Sequence, residues 1–141
     1  MHVMRVAALT QQMVSRGEIV VCALISPYRD ARARARDHIG SDRFIEVFVD
    51  TPLDVCERRD PKGLYARARS GQLAGMTGLT DPYEPPIAPN LILTTVNRNV
   101  DANVARLLAQ LSERRRRLGV AKSPRGVEYW SELPQTAIGK A

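Results

Sequence analysis

Residues 44–65, FIEVFVDTPLDVCERRDPKGLY, change within one short stretch from an apolar strand pattern to a helix and then to a basic loop. Residues 44–49 are rich in aromatic and β-branched side chains, as in a strand that is covered on both faces. Thr51 then stands as a helix cap, Pro52 occupies the first helical position, and residues 53–59 fill the helix. A buried strand that leads directly into a helix predicts a βαβ unit.

The rest of the chain repeats this alternation of strands and helices. Apolar residues at helical spacing predict helices, and unbroken β-branched runs predict buried strands. Such alternation favours an α/β fold, in which a parallel sheet is flanked by helices. We predict helices at residues 4–16, 30–38 and from Asn99 or Asp101 to Arg117, ended by Gly17, Gly40 and Gly119, and buried strands at residues 19–25 and 91–95.

A basic stretch with several glycines, residues 59–84, follows the helix at 53–59, and we call it the lid segment. Cations on a loop that can bend suit a phosphate-handling lid, because arginine forks and lysine ammonium groups neutralise phosphate charge. An ordinary solvated basic loop explains the same composition about as well. The cations are Arg59, Lys62, Arg67 and Arg69, and the glycines are Gly63, Gly71, Gly75 and Gly78.

Several ordered motifs of the chain resemble those of the adenylylsulfate kinase family. They are ISPYR at residues 25–29, the stretch at residues 44–60 and KGLY at residues 62–65, and the resemblance runs from about Val3 to about Leu111. It implies a P-loop kinase fold and a reaction in which ATP, as its Mg²⁺ complex, phosphorylates the 3'-hydroxyl of adenosine 5'-phosphosulfate (APS). The product would be 3'-phospho-APS (PAPS), made in the cytoplasm during sulfate assimilation.

The resemblance also implies roles for individual residues. Ser26 matches a family serine that contacts APS and that has been assigned in bacterial members as a phosphoserine intermediate. We favour substrate contact, because no adjacent histidine or carboxylate in the sequence would activate Ser26. Met76 stands where the family usually has phenylalanine, so a thioether replaces a stacking ring. The expected catalytic residues are Ser26 and Lys62, the APS contacts are Arg5, Ile25, Ser26, Lys62, Gly75 and Met76, the ATP contacts are Arg59, Thr95 and Arg98, and no metal cluster is expected.

The phosphate loop of this kinase class, G-x-x-x-x-G-K-[ST], does not occur in the 141 residues. In the class, the strand that feeds this loop lies in the middle of the sheet, so its absence leaves unpaired backbone groups on the predicted neighbouring strands. Either the two neighbouring strands close up, or another chain fills the gap, or the natural protein extends further at its N-terminus, and we expect the last of these. Residues 1–118 would form a partial kinase domain, residues 119–141 would form a loosely ordered tail, and the chain alone would be weak or inactive.

Composition bounds the alternative functions. A net charge of +6 and a pI near 9.9 favour anionic ligands. A nucleic-acid-binding protein would use the arginines of residues 29–36 and 114–117, but aromatic residues make up only 5% and leave few surfaces for base stacking. The longest apolar run, residues 19–25, is far too short for a membrane span. The two cysteines, Cys22 and Cys56, lie in apolar contexts and are predicted to be reduced core thiols.

A second functional hypothesis is a non-catalytic nucleotide-binding or regulatory module. It would bind APS or its product without turnover, and would act by contact with a full-length kinase or with an ATP sulfurylase. For the kinase hypothesis, the candidate protein partners are a second copy of the chain and a sulfurylase. The sequence leaves both hypotheses open.

Overall fold

A computed structural model describes residues 2–119, and the predicted tail from residue 120 onward lies outside the described residues. None of the described helices is long and apolar enough to cross a membrane. The elements in chain order are α1 (His2–Ser15), α2 (Arg29–Ile39), β1 (Val47–Asp50), α3 (Leu53–Arg59), α4 (Leu64–Arg69), β2 (Leu91–Thr94) and α5 (Val100–Arg117).

The first two helices pack against each other and bury small side chains. Val6, Ala7 and Thr10 recur at helical spacing on one face of α1 and are buried there. Ala35 is the buried residue of α2. Both helices were predicted, and Gly17 follows the first with φ +86°, a left-handed conformation that glycine adopts without steric cost.

β1 and β2 form a two-stranded parallel sheet. Val47 pairs with Leu91 at one end and Asp50 pairs with Thr94 at the other. Parallel strands need a long crossover connection, and α3, α4 and the rest of the lid segment provide it. The predicted α/β fold with a parallel sheet and flanking helices is therefore confirmed, although β1 begins at Val47 and not at Phe44.

Side chains of α5 satisfy backbone carbonyls of β2. Asn103 Nδ2 donates to the carbonyl of Thr94 (2.9 Å), and Arg106 Nη1 donates to the carbonyl of Ile92 (2.8 Å). Alternate carbonyls of a strand point to the same edge, so one helix face can serve both. Asn99, one of the two predicted starts, caps this helix with its side chain.

Residues 19–25 form no strand, so that prediction was wrong. The side chains of Val21 and Ile25 are 73% and 69% exposed. A strand needs a neighbour to pair its backbone N–H and C=O groups, and the sheet of the described residues contains only β1 and β2. Hydrophobicity alone therefore did not produce a strand here, and Cys22, which was predicted to lie in the core, is exposed.

The start of α3 also differs from the prediction. Pro52 is the cap residue, and the helix has no side-chain cap. The hydroxyl of Thr51, which was expected to cap the helix, contacts the hydroxyl of Thr95 instead. Cys56 within α3 is half-buried, and it is a free thiol like Cys22.

Candidate functional site

The carboxyl end of the sheet brings Thr51, Arg59 and Thr95 together. Thr51 and Thr95 follow the two strands, and their Oγ1 atoms lie 2.6 Å apart. Arg59, at the end of α3, donates from Nη1 to Thr95 Oγ1 (3.0 Å) and from Nη2 to the Thr95 carbonyl (2.9 Å). Ligands of open parallel sheets collect at this edge. Two of the predicted ATP contacts, Arg59 and Thr95, are thus in direct contact with each other.

Lys62 lies exposed in the turn between α3 and α4, and Asp60 holds that turn. Asp60 Oδ2 accepts from the N–H of Ala66 (3.0 Å) and Oδ1 from that of Tyr65 (3.2 Å). The Ala66 N–H, and then that of Tyr65, lowers the pKa of Asp60 from its ordinary value, because both stabilise the carboxylate more than lost hydration destabilises it. Gly63, with φ +64°, completes the turn. The Lys62 ammonium is thereby presented from an anchored backbone.

Gly75 and Met76 begin a closed turn within the lid segment. The Met76 carbonyl accepts from the N–H groups of Leu79 (3.1 Å), Thr80 (2.9 Å) and Asp81 (3.0 Å), and the Met76 N–H donates to Thr80 Oγ1 (2.8 Å). A Cβ atom added to Gly75 would lie 3.6 Å from Asp81 Oδ2, which is ordinary contact. The φ of +72° at Gly75, and not a lack of space, therefore favours glycine.

Ser26 lies in the irregular segment before α2, which we call the Ser26 turn, with φ +43°. This conformation costs a non-glycine residue on the order of 1–3 kcal/mol. Its carbonyl accepts from Arg32 Nη1 (2.6 Å). The carbonyl of Pro27 accepts from the N–H of Glu84 (2.9 Å), and Glu84 Oε2 accepts from the N–H of Arg29 (2.7 Å). These bonds join the Ser26 turn to the end of the lid segment.

A shielded ion-pair network lies behind this turn. Glu46 Oε1 accepts from Arg32 Nε and Oε2 accepts from Arg36 Nη2, both at 2.8 Å. The side chains of Arg32 and Glu46 are 11% and 16% exposed. The sequence analysis treated the arginines of residues 29–36 as a possible nucleic-acid surface and missed the acceptor of Arg32 and Arg36. A charged residue within the apolar run FIEVFV needs a partner of opposite charge. Glu46 was therefore the sequence signal that could have predicted this ion-pair network.

Other predicted contacts lie outside these clusters. Arg5, on α1, and Ile25 are exposed, and so is Arg98 in the loop after β2. The structure therefore joins Arg59 to Thr95 and the Ser26 turn to Glu84. The roles predicted for all of these residues remain predictions.

Many of the arginines that a nucleic-acid surface would need are engaged within the protein. Arg32 and Arg36 share Glu46, as described above, and their guanidinium groups are only partly exposed. Paired arginines attract phosphate more weakly than free ones, because the partner cancels their charge. Arg34 pairs with Asp30, Arg116 and Arg117 pair with Glu113, and Arg114 donates to the carbonyls of Ser41 and Asp42.

A parallel sheet with a helical crossover, and with Arg59 of the lid segment at its carboxyl end, defines an α/β protein of the class whose ligands bind at that edge of the sheet. Comparison with known families makes this specific. The family model for adenylylsulphate kinase matches residues 1–94. The chain belongs to the adenylylsulphate kinase family, which confirms the resemblance found in its motifs.

Two of the curated relatives described here carry the name adenylyl-sulfate kinase. The adenylyl-sulfate kinase of Pseudomonas aeruginosa is 44% identical over 110 residues, which is 78% of this chain and 56% of that protein. The enzyme of the same name from Lactiplantibacillus plantarum is 45% identical over 112 residues, 79% of this chain and 54% of that protein. The bifunctional enzyme NodQ of Rhizobium tropici is 48% identical over 112 residues, 79% of this chain and 17% of its own length.

Among solved structures, the APS kinase CysC of Mycobacterium tuberculosis in complex with AMPPNP and APS is similar to this chain. Its TM-score is 0.72 at 40% sequence identity, and the match covers 78% of this chain and 64% of that one. The chain thus spans about half the length of the adenylyl-sulfate kinases named above and somewhat more of this structure.

Proposed function

We propose that this chain supplies the acceptor-binding and lid part of an adenylyl-sulfate kinase. In the reaction, the 3'-oxygen of APS bonds to the γ-phosphorus of ATP, while the bond from that phosphorus to the β,γ-bridging oxygen breaks. The 3'-hydroxyl loses its proton, and ADP and PAPS leave. In phosphoryl transfer the protein takes little part in covalent chemistry. It mainly aligns the two nucleotides and neutralises their charge.

The acceptor APS would be held by the Ser26 turn and the lid segment. The carbonyl of Ser26 accepts a hydrogen bond from Arg32. We propose that the hydroxyl of Ser26 contacts APS directly. Lys62 would neutralise the acceptor's negative groups from its anchored turn, since an ammonium acts as a mobile point charge. Gly75 and Met76 would line the pocket for the adenine, with a thioether against the base. Ile25 and Arg5 complete the proposed set of APS contacts.

The donor ATP would bind at the carboxyl end of the sheet. Arg59 would contact its phosphates or stack on its adenine, and Thr95 and Arg98 would contact its base from the loop after β2. Among residues 2–119, no group of three or more histidine, cysteine or acidic side chains is placed to hold a metal ion. We propose that Mg²⁺ arrives bound to the ATP phosphates, whose oxygens are the ligands that it prefers.

One observation carries this proposal: a structure described in complex with AMPPNP and APS matches 78% of this chain at 40% identity. The match covers 64% of that relative, so the proposal is confined to the acceptor-binding and lid part of the kinase. The local contacts support the same reading, because Arg59 touches Thr95 and the Ser26 turn touches the lid segment.

The test measures APS binding by calorimetry, and PAPS formation with ATP and Mg²⁺, using the purified 141-residue protein. We expect APS to bind more tightly than AMP at fixed salt, and Lys62→Ala to weaken that binding about 10-fold, as for the loss of a contact between two charges. Gln72→Ala, in the same exposed lid segment, is the matched control and should bind APS like the unaltered protein.

The outcomes separate the hypotheses. Turnover that disappears in Lys62→Ala supports the kinase. Binding of APS without turnover supports the non-catalytic module. Equal affinity for APS and AMP contradicts both hypotheses. Binding of DNA or RNA whose affinity falls steeply as the salt concentration rises would indicate a nucleic-acid-binding protein instead.

A protein partner is the remaining part of the proposal. The Rhizobium tropici relative is described as bifunctional, and this chain covers 17% of it, so in that protein the matched region adjoins much further chain. We propose that the present chain acts as a homodimer or beside a sulfurylase that supplies APS. Light scattering of the purified protein, alone and with a sulfurylase, tests this: one monomeric mass in both samples would contradict it.

A further inference from the structure

We propose that Arg32 is a positioning residue for the acceptor, because its guanidinium holds the Ser26 turn and the end of the lid segment as one unit. This inference rests on the proposed function, in which Ser26 contacts APS. Arg32 itself is not among the proposed APS contacts. It acts on the backbone of two segments that lie more than fifty residues apart in the chain, Ser26 and Glu84.

The guanidinium of Arg32 divides its bonds among three segments. Nη1 donates to the carbonyl of Ser26 (2.6 Å) and Nη2 to the carbonyl of Glu84 (2.6 Å). Nε is bound to Glu46, just before β1. Glu46, which lies next to the sheet, thus holds the guanidinium of Arg32, and the guanidinium in turn holds the two loops. The Cζ atom of Arg32 also lies over the ring of Tyr83, 5.9 Å from its centroid.

Direct bonds between the two loops complete this arrangement, which we call the clasp. The Glu84 N–H binds the Pro27 carbonyl, and Glu84 Oε2 binds the Arg29 N–H. Arg29 Nε in turn donates to the carbonyl of Pro85 (2.8 Å). Ser26 is kept at φ +43°, which a serine would leave if it were free. The clasp therefore supplies the restraint that maintains this unusual conformation.

Lysine cannot replace Arg32 in the clasp. The N–H donors of arginine are spread over three nitrogens in a rigid plane, so they can reach separated acceptors. The three N–H donors of lysine all belong to one nitrogen and cannot reach acceptors that lie as far apart. Arg32→Lys keeps the charge near Glu46 but releases at least one of the two loop carbonyls. The expected consequence is a Ser26 turn that samples ordinary backbone conformations and contacts APS less often.

Arg36 provides a matched control within the same network. It binds the other oxygen of Glu46 and lies one helical turn further along α2, but it contacts neither the Ser26 turn nor Glu84. If the network matters only for stability, Arg32→Lys and Arg36→Lys should behave alike. If Arg32 positions Ser26, only Arg32→Lys should change APS binding.

The experiment measures APS affinity by calorimetry, the thermal midpoint, and amide hydrogen exchange of peptides covering residues 24–30 and 80–88. We expect Arg32→Lys to weaken APS binding about 10-fold and to speed exchange in both peptides together. Arg36→Lys should lower the thermal midpoint while APS affinity stays within about twofold of the unaltered protein. Glu84→Ala, which removes the bond to the Arg29 N–H, serves as a second variant and should also weaken APS binding.

The result distinguishes this inference from the proposed function. If the unaltered protein fails to bind APS, the proposed function fails and the positioning role fails with it. If the unaltered protein binds APS and Arg32→Lys binds it equally well, only the positioning role is overturned. Equal losses of APS affinity in Arg32→Lys and Arg36→Lys would also overturn it. If Arg32→Lys does not fold, Arg32→Gln is measured in its place, and APS binding equal to that of the unaltered protein overturns the positioning role. Glu84→Ala leaves the bond from Arg32 to the Glu84 carbonyl intact and tests only the side-chain bond between the two loops.

Discussion

The guanidinium of Arg59 donates two hydrogen bonds to Thr95, one to its hydroxyl oxygen (3.0 Å) and one to its backbone carbonyl (2.9 Å). Thirty-six positions separate the two residues in the chain. The contact ties the end of α3 to the loop after β2, so it closes the crossover between the two parallel strands. The hydroxyl of Thr95 also contacts that of Thr51, so one side chain links the ends of both strands.

Thr95→Val tests how much this link stabilises the fold. The valine leaves the Thr51 hydroxyl and one Arg59 nitrogen without their partner, so we expect a loss of about 1–2 kcal/mol in the free energy of unfolding. Urea titration measures this loss. Thr94→Val is the control, because it makes the same change one residue earlier without removing the Thr95 hydroxyl. A loss for Thr94→Val as large as that for Thr95→Val would contradict the assignment.

Asp60 should make the stability of the Lys62 turn depend on pH. Its folded-state pKa is lowered from the ordinary 3.8 by the N–H groups of Ala66 and Tyr65. The carboxylate therefore stabilises the fold fully above about pH 3.8, and this contribution is lost as pH falls through the lowered folded pKa. Asp60→Asn should be less stable than the unaltered protein at pH 6, and the difference should shrink in acid.

Thermal midpoints of both proteins between pH 6 and strong acid provide the measurement for Asp60. The control is Asp42→Asn, since Asp42 enters the hydrogen-bond network of the described residues through its backbone carbonyl. Its midpoint should stay parallel to that of the unaltered protein. A constant gap between Asp60→Asn and the unaltered protein at every pH would show that charge does not hold the turn.

Asn103 should stabilise the edge of β2 despite being imperfectly paired. Its Nδ2 satisfies the Thr94 carbonyl, whereas its buried Oδ1 has no partner among the described residues. Asn103→Ala removes both, so we expect a net loss of about 1 kcal/mol, smaller than for a fully paired side chain. Gln110→Ala, further along α5, corrects for the helix preference of alanine. A gain in the urea midpoint of Asn103→Ala would mean that the unpaired oxygen outweighs the bond.

Local chemistry explains why much of the fold was predictable. Residues 4–16 carry apolar residues at helical spacing, residues 30–38 combine alanines with Arg32 and Arg36 at i and i+4, and both segments became helices. Asn99, one of the two predicted starts of α5, caps it because an amide side chain can bind the first free N–H groups of a helix. The strand at residues 91–95 and the parallel pairing also followed from sequence. The motifs at residues 25–29 and 44–65 identified the family, which the matched family model confirmed.

Long-range pairing explains what was not predictable. Residues 19–25 have the composition of a buried strand, yet strand formation depends on a neighbour that no local pattern specifies. The same limit applied to Thr51, which satisfies the chemistry of a helix cap but found a better partner in Thr95. It also applied to Arg32, whose acceptors come from three separate segments, of which that of Glu84 is far away in the chain.

The sequence by itself determined α1, α2, α3 and α5, the α/β class and the family, because periodicity, helix signals and motifs act over a few positions. Only the tertiary structure decided which charges are paired and which loops are joined. Glu46 selects Arg32 and Arg36 from a chain rich in arginine, and Arg32 fastens the Ser26 turn to Glu84. A shielded charge must find its partner in space, and the path of the backbone alone sets which partners are within reach.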